Sequence, residues 1–302
     1  MSGAELSAGA DPTQIFSRAR EGVHHVGAHH PYDGGVQILS VSSLKGGVGK
    51  TSVTMGLASA ALHSGLSTLV IDLDPHADAT TGLSVSRGAG TEAGQLLRDA
   101  RKAKIADHVV PSGWMDLVPE DQRGPHGRLD VVVGSALSAT FDRPDIRPKD
   151  MRRLKTLLTG LSGYDVVLID CPPSLSGLTR IAWSAANQVL LVAEPSLFSV
   201  AGTERTMRAI RMFSNEFAPQ LKSAGVIVNR ARADSTEHEY RLLEMENLYQ
   251  DALMLPVLEE NPIWQQIQGA AYPVHQWPGD QVLDMAKSFD ELLKQLVPEL
   301  KK

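Results

Sequence analysis

Three glycines, a lysine and two hydroxyl side chains fall within seven positions, Gly46-Gly-Val-Gly-Lys-Thr-Ser52. An apolar run leads into this segment and a stretch of helical period leaves it, which is the context in which a glycine-rich turn binds phosphate. Glycines let backbone amides approach an anion closely, and the positive end of the following helix dipole adds to the attraction. Gly46, Gly47, Val48, Gly49, Lys50, Thr51 and Ser52 are therefore the candidate nucleotide contacts. Lys50 is expected to reach the terminal phosphates as a point charge, with the Thr51 hydroxyl ligating Mg²⁺. A second lysine, Lys45, stands immediately before the glycines.

Carboxylates form a second constellation. Asp170 closes the apolar run Val166-Val-Leu-Ile, and Asp72-Leu-Asp74 closes another. A carboxylate at the end of a buried strand is costly unless a cation or hydrogen bonds compensate it. Asp170 is thus a candidate to hold a water of the Mg²⁺ shell and Asp72 to support that shell. A strand-end cap or turn is the plainer alternative for each, as it is for Asp74. On the other side of a nucleotide, Asn229-Arg230 and Pro256-Val257 each follow a predicted strand. These four residues match positions that flank the base in the nucleotide-binding family that the phosphate loop resembles, and the chemistry agrees, since asparagine can hydrogen-bond both edges of an adenine amidine and proline offers a rigid apolar edge; ordinary loop roles are the alternative. The doublets His24-His25 and His29-His30 have no carboxylate or thiolate at defined spacing, which favours solvated histidines over a metal site.

Positioning such groups requires strands that end together. Short, β-branched, near-continuous apolar runs at 36–41, 68–73, 129–133, 164–169, 188–193 and 224–228 read as strands covered on both faces. Segments of helical period at 51–63, 92–101, 149–161, 178–186, 202–217 and 236–249 alternate with them. The alternation predicts an α/β fold, a single domain over 36–302 with a mostly parallel twisted sheet and helices on both faces, binding ligands at the carboxyl ends of its strands. Residues 1–35, rich in Ala, Gly, Ser and His, read as a mobile extension with one short helix near 15–20. Proline and glycine interrupt 101–128, which reads as a surface excursion. Met285, Phe289, Leu292, Leu293, Leu296 and Leu300 recur at the spacing of one last amphipathic helix.

The whole segment Lys45-Gly-Gly-Val-Gly-Lys-Thr51 resembles the deviant Walker A motif of the ParA and MinD family of P-loop ATPases, most closely the ParA-type, Soj-like partition proteins. Asp72-Leu-Asp-Pro-His76 looks like that family's second motif, and Val166-Val-Leu-Ile-Asp-Cys-Pro-Pro173 like its Walker B strand and turn. The resemblance implies ATP and Mg²⁺ as cofactors, weak basal hydrolysis, and an ATP-bound sandwich homodimer. Within it, Lys50 and Asp74 would serve catalysis, Asp74 positioning the attacking water. Lys45 would cross to the partner subunit's phosphates, stabilising charge that grows in the transition state. The expected stimulator is a cargo-bound partner resembling ParB. Two departures stand out: the family's usual Gln-Gly-Asn after Asp74-Pro75 is His76-Ala77-Asp78, and the often basic segment after Pro256 holds Glu259 and Glu260.

Family members act on non-specific DNA or, in the MinD type, on membrane through a C-terminal amphipathic helix. Here that helix mixes Lys287, Lys294, Lys301 and Lys302 with Asp284, Asp290, Glu291 and Glu299, so it lacks the basic face anionic lipid demands, and no membrane partner is expected. Arg205, Arg208 and Arg211 share a helix face suited to DNA phosphates, although a solvated polar face has the same spacing. The net charge of −6 excludes a protein that coats nucleic acid over its whole surface. A single cysteine, Cys171, excludes an intrachain disulfide framework and the paired-cysteine cluster of the nitrogenase-reductase relatives. With no apolar run of about 20 residues and no signal core, a cytoplasmic, nucleoid-associated protein is expected.

Overall fold

The computed structural model describes residues 35–86, 88–123 and 126–297. The proposed helix near 15–20, the histidine doublets, Leu300 and the final lysines lie outside them. Strands β1 (Gln37–Ser42), β2 (Ser67–Asp72), β3 (Val110–Pro111), β4 (Arg128–Val132), β5 (Val166–Asp170), β6 (Gln188–Ala193), β7 (Lys222–Val228) and β8 (Leu253–Met254) form one sheet. Its order is β3-β4-β2-β5-β1-β6-β7-β8, parallel throughout except for the antiparallel pair β3 and β4. The central strands β1, β2 and β5 are buried on both faces, which explains their concentration of Val, Ile and Leu.

Parallel pairing brings the carboxyl ends of β1, β2, β5, β6 and β7 to one edge. Asp72 lies directly beside Asp170 across β2 and β5, and Val41 beside Asp170 across β1 and β5. The helix Lys50–His63 returns from β1 across the sheet and is buried over most of its length. Against it packs the C-terminal helix Leu283–Leu296, which buries Ala286, Phe289, Leu292, Leu293 and Leu296. Gly56 makes this close approach feasible, since a Cβ there would sit 2.1 Å from Phe289 Cζ. The four large side chains of that helix contribute about 1.5–3 kcal/mol each by leaving water. No helix among the described residues is long and apolar enough to cross a membrane.

Three expectations change. The segment 101–128 does more than cross the surface: it supplies the edge strand β3 and buries Trp114, whose Nε1 donates to the Ala271 carbonyl at 2.7 Å. Its prolines and glycines disguise that contribution by keeping each regular piece very short. The helix expected over 149–161 is broken at Arg152 into Pro148–Met151 and Arg153–Leu158. There Asp150 accepts hydrogen bonds from Arg147 at 2.7 Å and Arg153 at 2.8 Å, tying together side chains on both sides of the break. The helix expected from Gly202 begins five residues earlier, as Leu197–Phe217.

Candidate active site

The phosphate loop leaves β1 and turns through Gly47 at φ +79° and Gly49 at φ +87°, left-handed conformations that a side chain makes strained. Gly49 has a second constraint, because a Cβ would lie 2.2 Å from Asn229 Nδ2. That amide donates to the Val48 carbonyl at 2.9 Å, and Arg230 donates to the Gly47 carbonyl at 2.7 Å. The residues after β7 therefore brace the loop from outside. Asn229, Arg230, Pro256 and Val257 also line one cavity of about 1030 Å³, together with Trp264 and Gln268. Gln268 donates to Ser52 Oγ at 3.0 Å, linking that cavity to the start of the helix. The four residues proposed to flank the base thus share a cavity beside the phosphate loop.

Lys50 is buried at the head of its helix. Burial lowers its pKa, opposed by the nearby carboxylates of Asp170 and Asp74. Thr51 Oγ1 donates to Asp170 Oδ2 at 2.8 Å, and Thr54 Oγ1 donates to Asp170 Oδ1 at 2.9 Å. Asp72 is fully buried: its Oδ2 accepts from the Thr80 amide at 2.8 Å and hydroxyl at 2.7 Å, and its Oδ1 from the Asp74 amide at 3.2 Å. Burial pushes both carboxyls above the usual range, and Asp170 adds to the effect on Asp72. Two buried carboxylates side by side, with Thr51 in contact, form a donor set short of positive charge.

That electrostatic deficit fits a divalent cation. Among the described residues no group of three or more His, Cys, Asp or Glu side chains forms a complete metal cage. Mg²⁺ suits such a site because it keeps several waters and takes its remaining ligands from a hydroxyl, a carboxylate and substrate phosphates. Thr51 and Asp170 would hold it, while Asp72 has its oxygens committed to Thr80 and Asp74. The ion supplies charge neutralisation to the phosphates.

Asp74 sits just beyond β2, on a turn in which Ala77 adopts φ +58°. Its Oδ1 accepts from the His76 amide at 3.0 Å and contacts His76 Nδ1 at 2.9 Å. Lys45 is engaged within its own subunit. Its Nζ donates to Glu194 Oε2 at 2.7 Å and to Ser196 Oγ at 3.3 Å, while Glu194 Oε1 lies 3.5 Å from Arg230. Glu194, Ser196, Thr54, Thr80 and Gln268 were not singled out in the sequence. Glu194 follows β6 and Lys45 follows β1, so their pairing depends on knowing that those strands are neighbours.

Arg205, Arg208 and Arg211 are exposed on the helix Leu197–Phe217, whose N-terminal residue follows Ser196, a contact of Lys45. Arg232 is paired with Asp234 at 3.3 Å and Glu260 at 3.8 Å.

The AAA domain family model matches residues 36–223, more than half of the chain. A ParA family protein of Chlamydia muridarum is 34% identical over 182 residues, covering 60% of this chain and 67% of its own length. The chromosome partitioning protein ParA of Caulobacter vibrioides is 29% identical over 200 residues, covering 64% of this chain and 69% of its own. Among solved structures, an ATP complex of a Cyanothece McdA variant shares the fold with a TM-score of 0.72 at 21% identity, over 86% of this chain and 96% of that one. With the glycine-rich loop between β1 and its helix, the aspartates at the ends of β2 and β5, and these matches, the chain belongs to the ParA/MinD family of P-loop ATPases.

Proposed function

We propose that the chain is a partition-type ATPase that pairs on ATP, binds DNA without sequence preference, and positions DNA or another large cargo in the cytoplasm on the nucleoid. The observation that carries this reading is the presence of two lysines at one phosphate loop: Lys50 buried at the helix head, and Lys45 held at the rim by Glu194. One lysine suffices to neutralise phosphates within a subunit. A second, partly exposed one supports the reading that it acts on another copy.

In this reading ATP enters beside the loop with Mg²⁺, and its base occupies the cavity of Asn229, Arg230, Pro256 and Val257. Lys45 leaves Glu194 and reaches the triphosphate held by a second copy, so nucleotide occupancy and pairing become linked. Asp74 orients the water that attacks the γ-phosphorus, and Lys50 stabilises the developing charge. Hydrolysis is slow until a ParB-like partner on the cargo stimulates it. The arginines at 205, 208 and 211 are the proposed DNA contacts. The reading as a membrane-acting, MinD-like protein is disfavoured because the C-terminal helix already buries its apolar face against the Lys50–His63 helix.

The test is DNA co-sedimentation with ATP, ADP or no nucleotide, using wild type, Asp74→Ala and the triple Arg205→Ala, Arg208→Ala, Arg211→Ala variant. Retention is expected only with ATP, persisting in Asp74→Ala and lost in the triple variant. Equal pelleting in all three nucleotide states removes the DNA-transport reading.

A further inference from the structure

The turn after β2 carries a side chain that the ATPase reading leaves without a role. His76 is 79% exposed, yet its Nδ1 lies 2.9 Å from Asp74 Oδ1, and its own amide reaches the same oxygen at 3.0 Å. An ionised carboxylate only accepts hydrogen bonds, so the short ring contact requires a hydrogen on Nδ1. The neutral ring then has its lone pair at Nε2, and the protonated ring differs only by a second N–H and a positive charge. Oδ1 takes both donors, which leaves Oδ2 for a water molecule.

We propose that His76 is a positioning residue for hydrolysis, clamping Asp74 through Oδ1 so that Oδ2 faces the attacking water. This rests on the assignment of Asp74 to water activation. In that step the water oxygen bonds to the γ-phosphorus as the bond to the bridging oxygen breaks. ADP leaves with the electron pair, and the water proton passes by way of Asp74 Oδ2 to solvent.

Where the family pattern has glutamine, this chain has a donor that also titrates. Charges facing the ring include Asp74 and Asp78, and the hydrogen bond to Asp74 raises the pKa of His76 above the ordinary histidine value. Behind Asp74 stand Lys50, Asp72 and Asp170. A cationic ring draws electron density from Asp74 and makes it a poorer proton acceptor. A neutral ring holds the same geometry and leaves Asp74 the better base. Turnover should therefore rise with pH as His76 loses its proton.

The test is the pH profile of kcat and KM for ATP on the full chain, comparing wild type, His76→Gln and His76→Ala, with Asp74→Ala alongside. Wild-type kcat should fall about tenfold per pH unit on the acid side of the His76 titration, as a single protonation requires. His76→Gln keeps a donor that does not titrate, so the acid limb should vanish and kcat should stay within about threefold of the wild-type plateau. His76→Ala keeps only the backbone donor, so its kcat should lie about tenfold below the wild-type plateau, with no acid limb and with KM unchanged. Wild-type kcat in His76→Ala, or an unaltered acid limb in His76→Gln, overturns the proposal. Hydrolysis that survives in Asp74→Ala defeats the underlying assignment instead, so the two failures are distinguishable.

Discussion

Replacing Glu194 by Gln should make the ATP-bound protein pair more tightly. In the structure the Glu194 carboxylate holds Lys45 Nζ at 2.7 Å, and the two side chains are 20% and 38% exposed. For Lys45 to reach another subunit that ion pair must open, and in a two-fold dimer it must open twice. Exposure of this degree limits each contact to about 0.5–1 kcal/mol, since solvent screens the pair and ordering two long side chains costs entropy. Removing the charge while keeping an amide of the same shape should therefore favour the dimer by about 1–2 kcal/mol, or roughly 5–30-fold in its dissociation constant. Arg230 retains its hydrogen bond to the Gly47 carbonyl, so the phosphate loop keeps its outer brace. The assay is sedimentation equilibrium with ATP and Mg²⁺ in an Asp74→Ala background, which prevents hydrolysis from dismantling the dimer during measurement. An unchanged dissociation constant would mean that the Glu194 contact does not restrain Lys45. Weaker pairing would mean that Glu194 itself contributes across the interface, and the reasoning would be refuted.

Gly49→Ala should abolish nucleotide binding in a fluorescent-analogue titration, because a Cβ at φ +87° adds about 1–2 kcal/mol of strain and collides with Asn229 as well. Phe289→Ala should lower unfolding free energy by about 3–5 kcal/mol in urea, by emptying the space over Gly56 where the C-terminal helix docks. Leu197 and Phe198 are exposed beside Ser196, the residue that contacts Lys45, so Phe198→Asp should weaken the ATP dimer by about 2 kcal/mol while leaving the monomer's Tm within about two degrees. Burial acts to raise the Asp150 carboxyl, but Arg153 and Arg147 outweigh it and hold the pKa below the ordinary value. Its contribution is present above the unfolded-state pKa and is lost as pH falls through the folded one, so Asp150→Asn should cost about 1–3 kcal/mol near neutrality and progressively less below pH 4.

Legibility in the sequence followed how local the cause was. The strands β1, β2, β5 and β6 announce themselves because burial on both faces demands mostly apolar residues, and each expected range lies within about two residues of the observed one. The phosphate loop was legible because its glycines, lysine and hydroxyls lie in one short stretch whose conformation is set locally. Trp114 was hidden for the opposite reason. It opens a single helical turn just after a two-residue strand, among prolines and glycines, and its burial comes from core side chains distant in sequence, with the Ala271 carbonyl accepting its N–H. The roles of Asn229 and Arg230 were half legible: their position after β7 pointed to the pocket, while their hydrogen bonds to Val48 and Gly47 required the sheet order.

Those two hydrogen bonds also connect the parts of the site in a way no single motif reveals. Arg230 touches both the Gly47 carbonyl and Glu194, and Glu194 in turn holds Lys45. Gly47 belongs to the turn that must close around phosphate, whereas Lys45 is the residue that would have to leave the subunit. A change in the loop's carbonyl positions on nucleotide entry therefore acts on Arg230, which shares one carboxylate with Lys45: Arg230 lies 3.5 Å from Glu194 Oε1 and Lys45 2.7 Å from Oε2. The two cations take separate oxygens, so Arg230 bears on Lys45 only by turning the Glu194 side chain that both hold. The pairing of β6 with β1 on one side and β7 on the other brings both partners to that carboxylate.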